Sequence, residues 1–123
     1  MKKLIRFSDQ VCVADRLQIA NDFFSRLRGL IGVKNFESGD GLLFPRCNDI
    51  HMWMMSISID VVFLKVIPKT VPQEWVVLSV HSRLKPWKLL PVANFKADDV
   101  LELPAGIVNT ISLKVGEVLC IAS

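Results

Sequence analysis

Short apolar runs dominate the chain, and each ends at a glycine, a proline or a polar cluster. Runs of this length, rich in Val, Ile and Leu and separated by turn residues, are typical of the strands of a β-sandwich or barrel. The pattern predicts seven strands, at Lys3–Phe7, Val11–Ala14, Leu42–Phe44, Asp60–Val66, Trp75–His81, Val100–Leu103 and Glu117–Ile121. Most of the fold is therefore expected to be strand.

Two prolines mark a turn in the middle of the chain. Pro68 and Pro72 flank Lys69 and Thr70, between two Val-rich runs. Because proline lacks the backbone N–H that a strand ladder needs, this stretch is best interpreted as the turn of a hairpin. Asp60–Leu64 is then expected to pair with Trp75–Ser79.

Two stretches have helical rather than strand spacing. The first begins at Asn21, a good N-cap, and ends at Gly32, with apolar residues at one-turn spacing between them. The second runs from Pro104 to Ile111, where the proline suits a first helical turn. The sequence thus predicts a mainly β fold, a sandwich or barrel with two short helices.

Length and composition are those of one folded domain, which we expect to span residues 1–123. The chain is 51% hydrophobic and 22% charged, with no repeat or linker-like tract. Its apolar runs are far shorter than the roughly 20 residues that cross a bilayer, so no membrane association is expected. The pattern leaves the oligomeric state open.

The compartment is predicted from the first residues and the cysteines. The apolar stretch after Met1–Lys3 is too short for the core of a secretory signal, which needs about 7 to 15 residues. Three widely spaced cysteines are an odd number, which favours reduced thiols over a disulfide framework. We therefore expect a cytoplasmic protein.

Charge offers one weak alternative function. The net charge is only +3, but Arg83–Lys88 is locally basic and contains Trp87. Such a segment could neutralise phosphates and stack on a base, although most charge runs are solvated faces. Nucleic-acid binding is therefore kept as a second alternative and is not the expected function.

The densest group of chemically useful side chains is Cys47–Met55, followed by Asp60. These residues form the pattern C-x-x-I-H-x-x-x-M-x-x-x-I-D-V-V-F-L, and further blocks lie at Arg26–Leu30, Gly41–Phe44, Pro86–Lys88 and Val100–Gly106. Taken in this order, the blocks resemble the bacterial and archaeal domain of unknown function 192 family. The resemblance covers most of the chain, from Arg26 to Leu119, and implies a compact, mainly β domain. It implies no activity.

The cluster permits an enzymatic interpretation. Cys47 could act as a nucleophile and His51 as its base, with Asp60 orienting the imidazole, as in a hydrolase or transferase. Cys47 and His51, together with His81 or Asp60, could instead hold a metal. The second ligand pair that is typical of zinc sites is missing from the sequence. A buried structural thiol and a histidine bonded to a carbonyl are the commoner explanation of such a short pattern. No metal or cofactor is therefore predicted.

The leading hypothesis is a binding module for a small ligand or a partner protein. Flexible and aromatic side chains beside the polar cluster suit the lining of a cleft, and a complete catalytic set is lacking. The expected lining residues are His51, Trp53, Met55 and Trp87, with Arg28 and Asp60 as polar anchors. Asp60 heads an apolar run, so its charge must be paired, by Arg28 or by backbone amides of the preceding loop.

Overall fold

The structure, a computed structural model, describes residues 2–20, 36–50, 57–85 and 92–122. Strands account for 56% of these residues, and one short helix is present among them. The strands are β1 Lys2–Arg6, β2 Cys12–Ile19, β3 Asp40–Pro45, β4 Asp49–Ile50, β5 Ile59–Ile67, β6 Glu74–Leu84, β7 Val92–Ala93, β8 Asp99–Pro104 and β9 Val118–Ile121. The helix, α1, is Ile107–Thr110.

Seven of these strands close into a barrel in the order β1-β2-β3-β8-β5-β6-β9. The two ends of the chain complete it, because β9 pairs with β1 as well as with β6. Strands β2 and β3 are parallel, whereas all other neighbours in the barrel are antiparallel. Each of the seven runs predicted from the sequence contributes one barrel strand, so the mainly β expectation is confirmed and the barrel is the correct alternative.

The barrel wall is buried on both faces where β3, β8 and β5 lie side by side. Successive side chains of a strand point to opposite faces, yet Ile59 to Leu64 are all buried. Val62 and Leu64 belong to the interior cluster, which includes Leu4, Leu17, Leu43, Val77, Leu101, Leu103, Val108 and Leu119. The opposite side, which we call the outer face, carries a second cluster centred on Phe44, Ile59, Val61, Phe63 and Val100.

Two local predictions need correction. Pro104 is the last residue of β8 and does not open the helix, which begins three residues later, after Gly106 at φ 95°. The predicted hairpin exists, but Leu64 pairs with Val77 and Val62 with Val80, so its register differs from the expected one. The register is set at the turn, where Ile67 pairs with Glu74, and two irregularities farther along the β5–β6 pairing each place one extra β6 residue opposite β5.

The helix predicted from Asn21 to Gly32 lies outside the described residues. Within the described part of the chain, no helix combines the length and apolar character needed to cross a membrane.

Candidate functional site

Asp60 lies at the end of the barrel interior, fully buried on β5. Its Oδ1 accepts a hydrogen bond from the Arg83 amide at 2.7 Å. Its Oδ2 accepts two more, from the amides of Gly106 at 3.0 Å and Val108 at 2.9 Å. The carboxylate therefore ties β5 to the end of β6 and to the start of α1.

The local backbone explains why these amides are available to Asp60. Arg83 lies within the irregular part of β6 and has a positive φ of 53°, and its N–H donates to the carboxylate. The Gly106 and Val108 amides belong to the start of α1, where helix N–H groups lack intrahelical partners. Asp60 is thus paired by backbone amides, which come from later elements of the chain and not from the loop before it. Arg28, the other expected partner, lies outside the described residues.

Glu102 is a second buried acid, in the middle of β8 and on the outer face. Its side chain is 4% exposed, and within the described structure its Oε2 has no hydrogen-bond partner. Burial raises the pKa of this carboxyl from the ordinary 4.5 to about 8. At neutral pH Glu102 therefore carries a proton.

The buried carboxyl makes stability depend on pH. An unfolded chain ionises Glu102 above about pH 4.5, whereas the folded chain holds the proton up to about pH 8. Because the folded state binds more protons between these values, stability falls as pH rises through this window, by about 1.4 kcal/mol per pH unit. The contribution of Glu102 to stability is most favourable below pH 4.5.

One row of paired residues places Glu102 on the same face as His81. Glu102 pairs with Leu42 on one side and with Val61 on the other, and Val61 pairs in turn with His81. Directly paired residues share a face, and strands are spaced about 4.8 Å apart, so Glu102 and His81 lie about 10 Å apart across Val61. The His81 ring meets Phe63 edge-on, with 5.4 Å between ring centroids.

Cys47 packs against the outer cluster, half-buried between β3 and β4. Its Sγ lies 3.1 Å from the carbonyl oxygen of Asp49, to which the thiol donates. A thiol that donates carries its proton, whereas a nucleophile must be a thiolate. Asp60 faces the interior while Cys47 lies on the outer face, so the structure does not bring these two predicted catalytic residues together.

Glu102, His81 and Cys47 all lie on the outer face. Together they form the polar part of the candidate site. Among the described residues, no group of three or more His, Cys, Asp or Glu side chains is placed to hold a metal ion.

The remaining predicted residues lie outside the described part of the chain: Arg28, His51, Trp53, Met55 and Trp87. They belong to segments 21–35, 51–56 and 86–91. The described residues around these three segments are members of the outer cluster: Ala20 and Phe36, Cys47 and Ile57, Leu84 and Val92. The described residues that flank each of the three segments therefore lie on the outer face.

Comparison with known proteins agrees with the sequence blocks. The model of the DUF192 family, described as "Uncharacterized ACR", matches residues 5–121. The chain belongs to this family. The function of the family is unknown, so membership assigns no activity to the outer face.

Two curated relatives are UPF0127 proteins of Thermococcus. The protein from Thermococcus sibiricus is 31% identical over 106 residues, which cover 83% of this chain and 63% of the relative. The protein from Thermococcus kodakarensis is 28% identical over 108 residues, which cover 85% of this chain and 63% of the relative. The chain thus spans about 63% of the length of the curated relatives that it matches.

Two solved structures share the fold of this DUF192 member. A candidate transcription regulator from Sinorhizobium meliloti 1021 superposes with a TM-score of 0.79 at 20% identity, over 98% of this chain and 94% of that one. A protein of unknown function from Novosphingobium aromaticivorans gives 0.76 at 16% identity, over 95% and 82%. At these identities the likeness confirms the fold alone.

Sequence reasoning did not select Glu102 as a site residue, although a signal for it exists. Glu102 is the one ionisable residue in the predicted strand Val100–Leu103, whose other residues are apolar. A strand that is apolar at nearly all of its positions is expected to be buried on both faces. An acid in such a strand is therefore a buried acid.

Proposed function

We propose that this protein is a binding module and that its outer face holds the site, for a small ligand or a partner protein. The observation that carries the proposal is the Glu102 carboxyl, which is buried among apolar side chains with one oxygen lacking a partner within the described structure. Nucleic acid and membranes are not among the proposed partners.

The energetic cost of Glu102 supports a role in binding. Burying a polar group without a hydrogen bond costs about 1–3 kcal/mol in proteins, and an apolar side chain of similar volume would avoid that cost. A ligand that donates a hydrogen bond to Oε2 would offset it. Polar groups set in an apolar surface are also what orients a ligand in most small-molecule sites.

Chain topology supports the same location. Described residues of the outer cluster flank all three segments that carry Arg28, His51, Trp53, Met55 and Trp87. We therefore retain these residues as proposed ligand contacts and add Glu102 to the proposed site as a polar anchor. Asp60 is not retained, because its two oxygens already accept three amide hydrogen bonds inside the barrel.

The enzymatic alternative has less support from the described residues. The Cys47 thiol donates to a carbonyl, and Asp60 is on the other face of the sheet. Neither arrangement activates a cysteine nucleophile.

A thermal-shift screen with matched variants tests the proposal. Wild type, Glu102→Gln and the exposed-site control Glu37→Gln would be screened against amines, carboxylates, nucleotides and glycans. A ligand at 100 times its Kd should stabilise the protein by about 2.7 kcal/mol. We expect hits that stabilise wild type and Glu37→Gln but stabilise Glu102→Gln much less.

Two further variants test the residues proposed from sequence. Trp53→Leu and Trp87→Leu should weaken the same hits if these side chains contact the ligand. A screen in which no compound stabilises wild type, or in which every hit stabilises Glu102→Gln equally, would contradict an outer-face site.

A further inference from the structure

We propose that the outer-face site binds a small organic cation, whose ammonium or guanidinium group donates to Glu102 beside the side chains of Phe44 and Phe63. This inference rests on the proposed function and adds to it the chemical class of the ligand. It follows from three features of the structure: an available acceptor, the apolar surface around it, and two aromatic neighbours.

The acceptor is the Oε2 atom of Glu102, which is buried and has no partner among the described residues. The residues paired with Glu102 are Leu42 and Val61, which offer no side-chain donor. A ligand must therefore bring the donor. Hydrogen bonds between an ionised donor and a carboxylate are roughly twice as strong as neutral ones, and they strengthen where water is excluded, so a cation gains most from this position.

The aromatic neighbours are set by the strand register. Phe44 lies two residues along β3 from Leu42, and Phe63 lies two residues along β5 from Val61. Both occupy positions diagonal to Glu102 on the same face, about 7–8 Å away between backbones, and both belong to the outer cluster. Aromatic faces attract cations and do not attract anions. Phe44 and Phe63 flank Val100, one row along β8 from Glu102, so an acid with two aromatic neighbours at diagonal positions favours positive charge.

Binding of a cation should release one proton. The buried carboxyl is protonated at neutral pH, because its pKa is raised to about 8. As the ligand binds, the proton leaves Glu102 for the buffer, and N–H to O hydrogen bonds form in its place. The ligand keeps its own charge, so no other group needs to change its protonation state.

The ionisable groups facing Glu102 from the described strands are few. Strands β3 and β5 present Leu42, Phe44, Val61 and Phe63, and none of these titrates. Strand β6 presents His81, which pairs with Val61 on the side of β5 away from Glu102. The imidazole is ionisable, so its contribution must be separated from that of Glu102.

Calorimetry with two probes of the same shape tests the proposal. Benzylamine carries an ammonium group where benzyl alcohol carries a neutral hydroxyl. Each would be titrated into wild type, Glu102→Gln, His81→Gln and Glu37→Gln at pH 6, 7 and 8, in buffers of different ionisation enthalpy. Agmatine would serve as the guanidinium probe.

We expect benzylamine or agmatine to bind wild type at least tenfold more tightly than benzyl alcohol. Because the ionised fraction of Glu102 grows about tenfold per pH unit below its pKa and reaches one half at about pH 8, affinity should rise by up to about fiftyfold between pH 6 and 8. Proton release at pH 7–8 should persist in His81→Gln and Glu37→Gln. It should disappear in Glu102→Gln, together with the pH dependence of affinity.

Two results would overturn the cation assignment. One is equal affinity for the amine and the alcohol, and the other is proton release that survives in Glu102→Gln. If Glu102→Gln does not fold, the comparison of wild type with His81→Gln decides, and proton release that disappears in His81→Gln would overturn the assignment.

The failure of this inference can be distinguished from the failure of the proposed function. If neutral or anionic compounds from the screen depend on Glu102 while both amines fail to bind, the binding module stands and the cation is wrong. If no compound of any class binds wild type, both are wrong.

Discussion

Replacing Asp60 with asparagine tests whether the buried carboxylate holds the fold together. The substitution keeps the shape of the side chain and changes one oxygen acceptor into an NH₂ donor. In the native structure both oxygens face amide donors, from Arg83 on one side and from Gly106 and Val108 on the other. Asparagine can satisfy only one side.

The expected loss follows from those contacts. The asparagine oxygen is expected to face Gly106 and Val108, because this orientation keeps two hydrogen bonds, at 3.0 and 2.9 Å in the native protein. The NH₂ group then faces the Arg83 amide, and leaving a buried donor unsatisfied costs about 1–3 kcal/mol. The two retained bonds lose their charge assistance, at about 1 kcal/mol each. Together these terms give about 3–5 kcal/mol, a large share of the stability of a typical domain.

Urea denaturation measures the effect. With a slope of about 1–3 kcal/mol per molar urea, the midpoint of Asp60→Asn should fall by more than about 1 M. Asp15→Asn is the matched control, since this acid is exposed and takes part only in a surface ion pair at 3.3 Å, so its midpoint should barely change. A midpoint for Asp60→Asn at or above that of wild type, with an unchanged slope, would refute the structural role and return Asp60 to the functional candidates.

Three further outcomes are expected. Glu102→Gln should remove the fall in stability between pH 5 and 8, because glutamine does not titrate. Urea midpoints measured across this pH range test the prediction, and a pH slope equal to that of wild type would contradict the burial argument. Iodoacetamide at pH 6 should label Cys47 no faster than the exposed Cys12, because a donating thiol is not a thiolate. Faster labelling of Cys47 would support the hypothesis that Cys47 is a catalytic nucleophile. Gly41→Ala should lower stability by about 1–3 kcal/mol, because its Cβ would come within 2.9 Å of the Ala14 Cβ. Adding Ala14→Gly should recover part of that loss in a double-mutant cycle, and purely additive effects would argue against the contact.

The strands were predictable because their signal is local. Alternation and turn residues identified all seven barrel strands, with errors mainly at their ends. Closure of the barrel was not predictable, because it depends on Leu4 and Ile5 pairing with Ile121 and Cys120 at the other end of the chain. Nothing in either run specifies a partner so distant, so the sequence could not separate a barrel from a sandwich.

The partners of Asp60 were beyond sequence reasoning for a related reason. A buried acid at the head of an apolar run indicates that pairing is needed, but not which groups supply it. Here the donors are backbone amides at Arg83, Gly106 and Val108, and side-chain identity does not encode where an amide points. The positive φ values of Arg83 and Gly106 help to set those directions, and only the glycine gives any hint of this in the sequence.

Asp60 and Glu102 show how the same side-chain chemistry separates structural from functional roles. Both acids are buried in adjacent strands, yet the two oxygens of Asp60 accept three amides while Oε2 of Glu102 accepts none in the described structure. Replacing Asp60 leaves buried amide donors without an acceptor, so the substitution lowers the stability of the fold. Replacing an unsatisfied acid with an apolar residue is often neutral or stabilising, so packing alone gives no reason for Glu102. A ligand that completes its hydrogen bonds supplies that reason, and the outer face is where such a ligand should be sought.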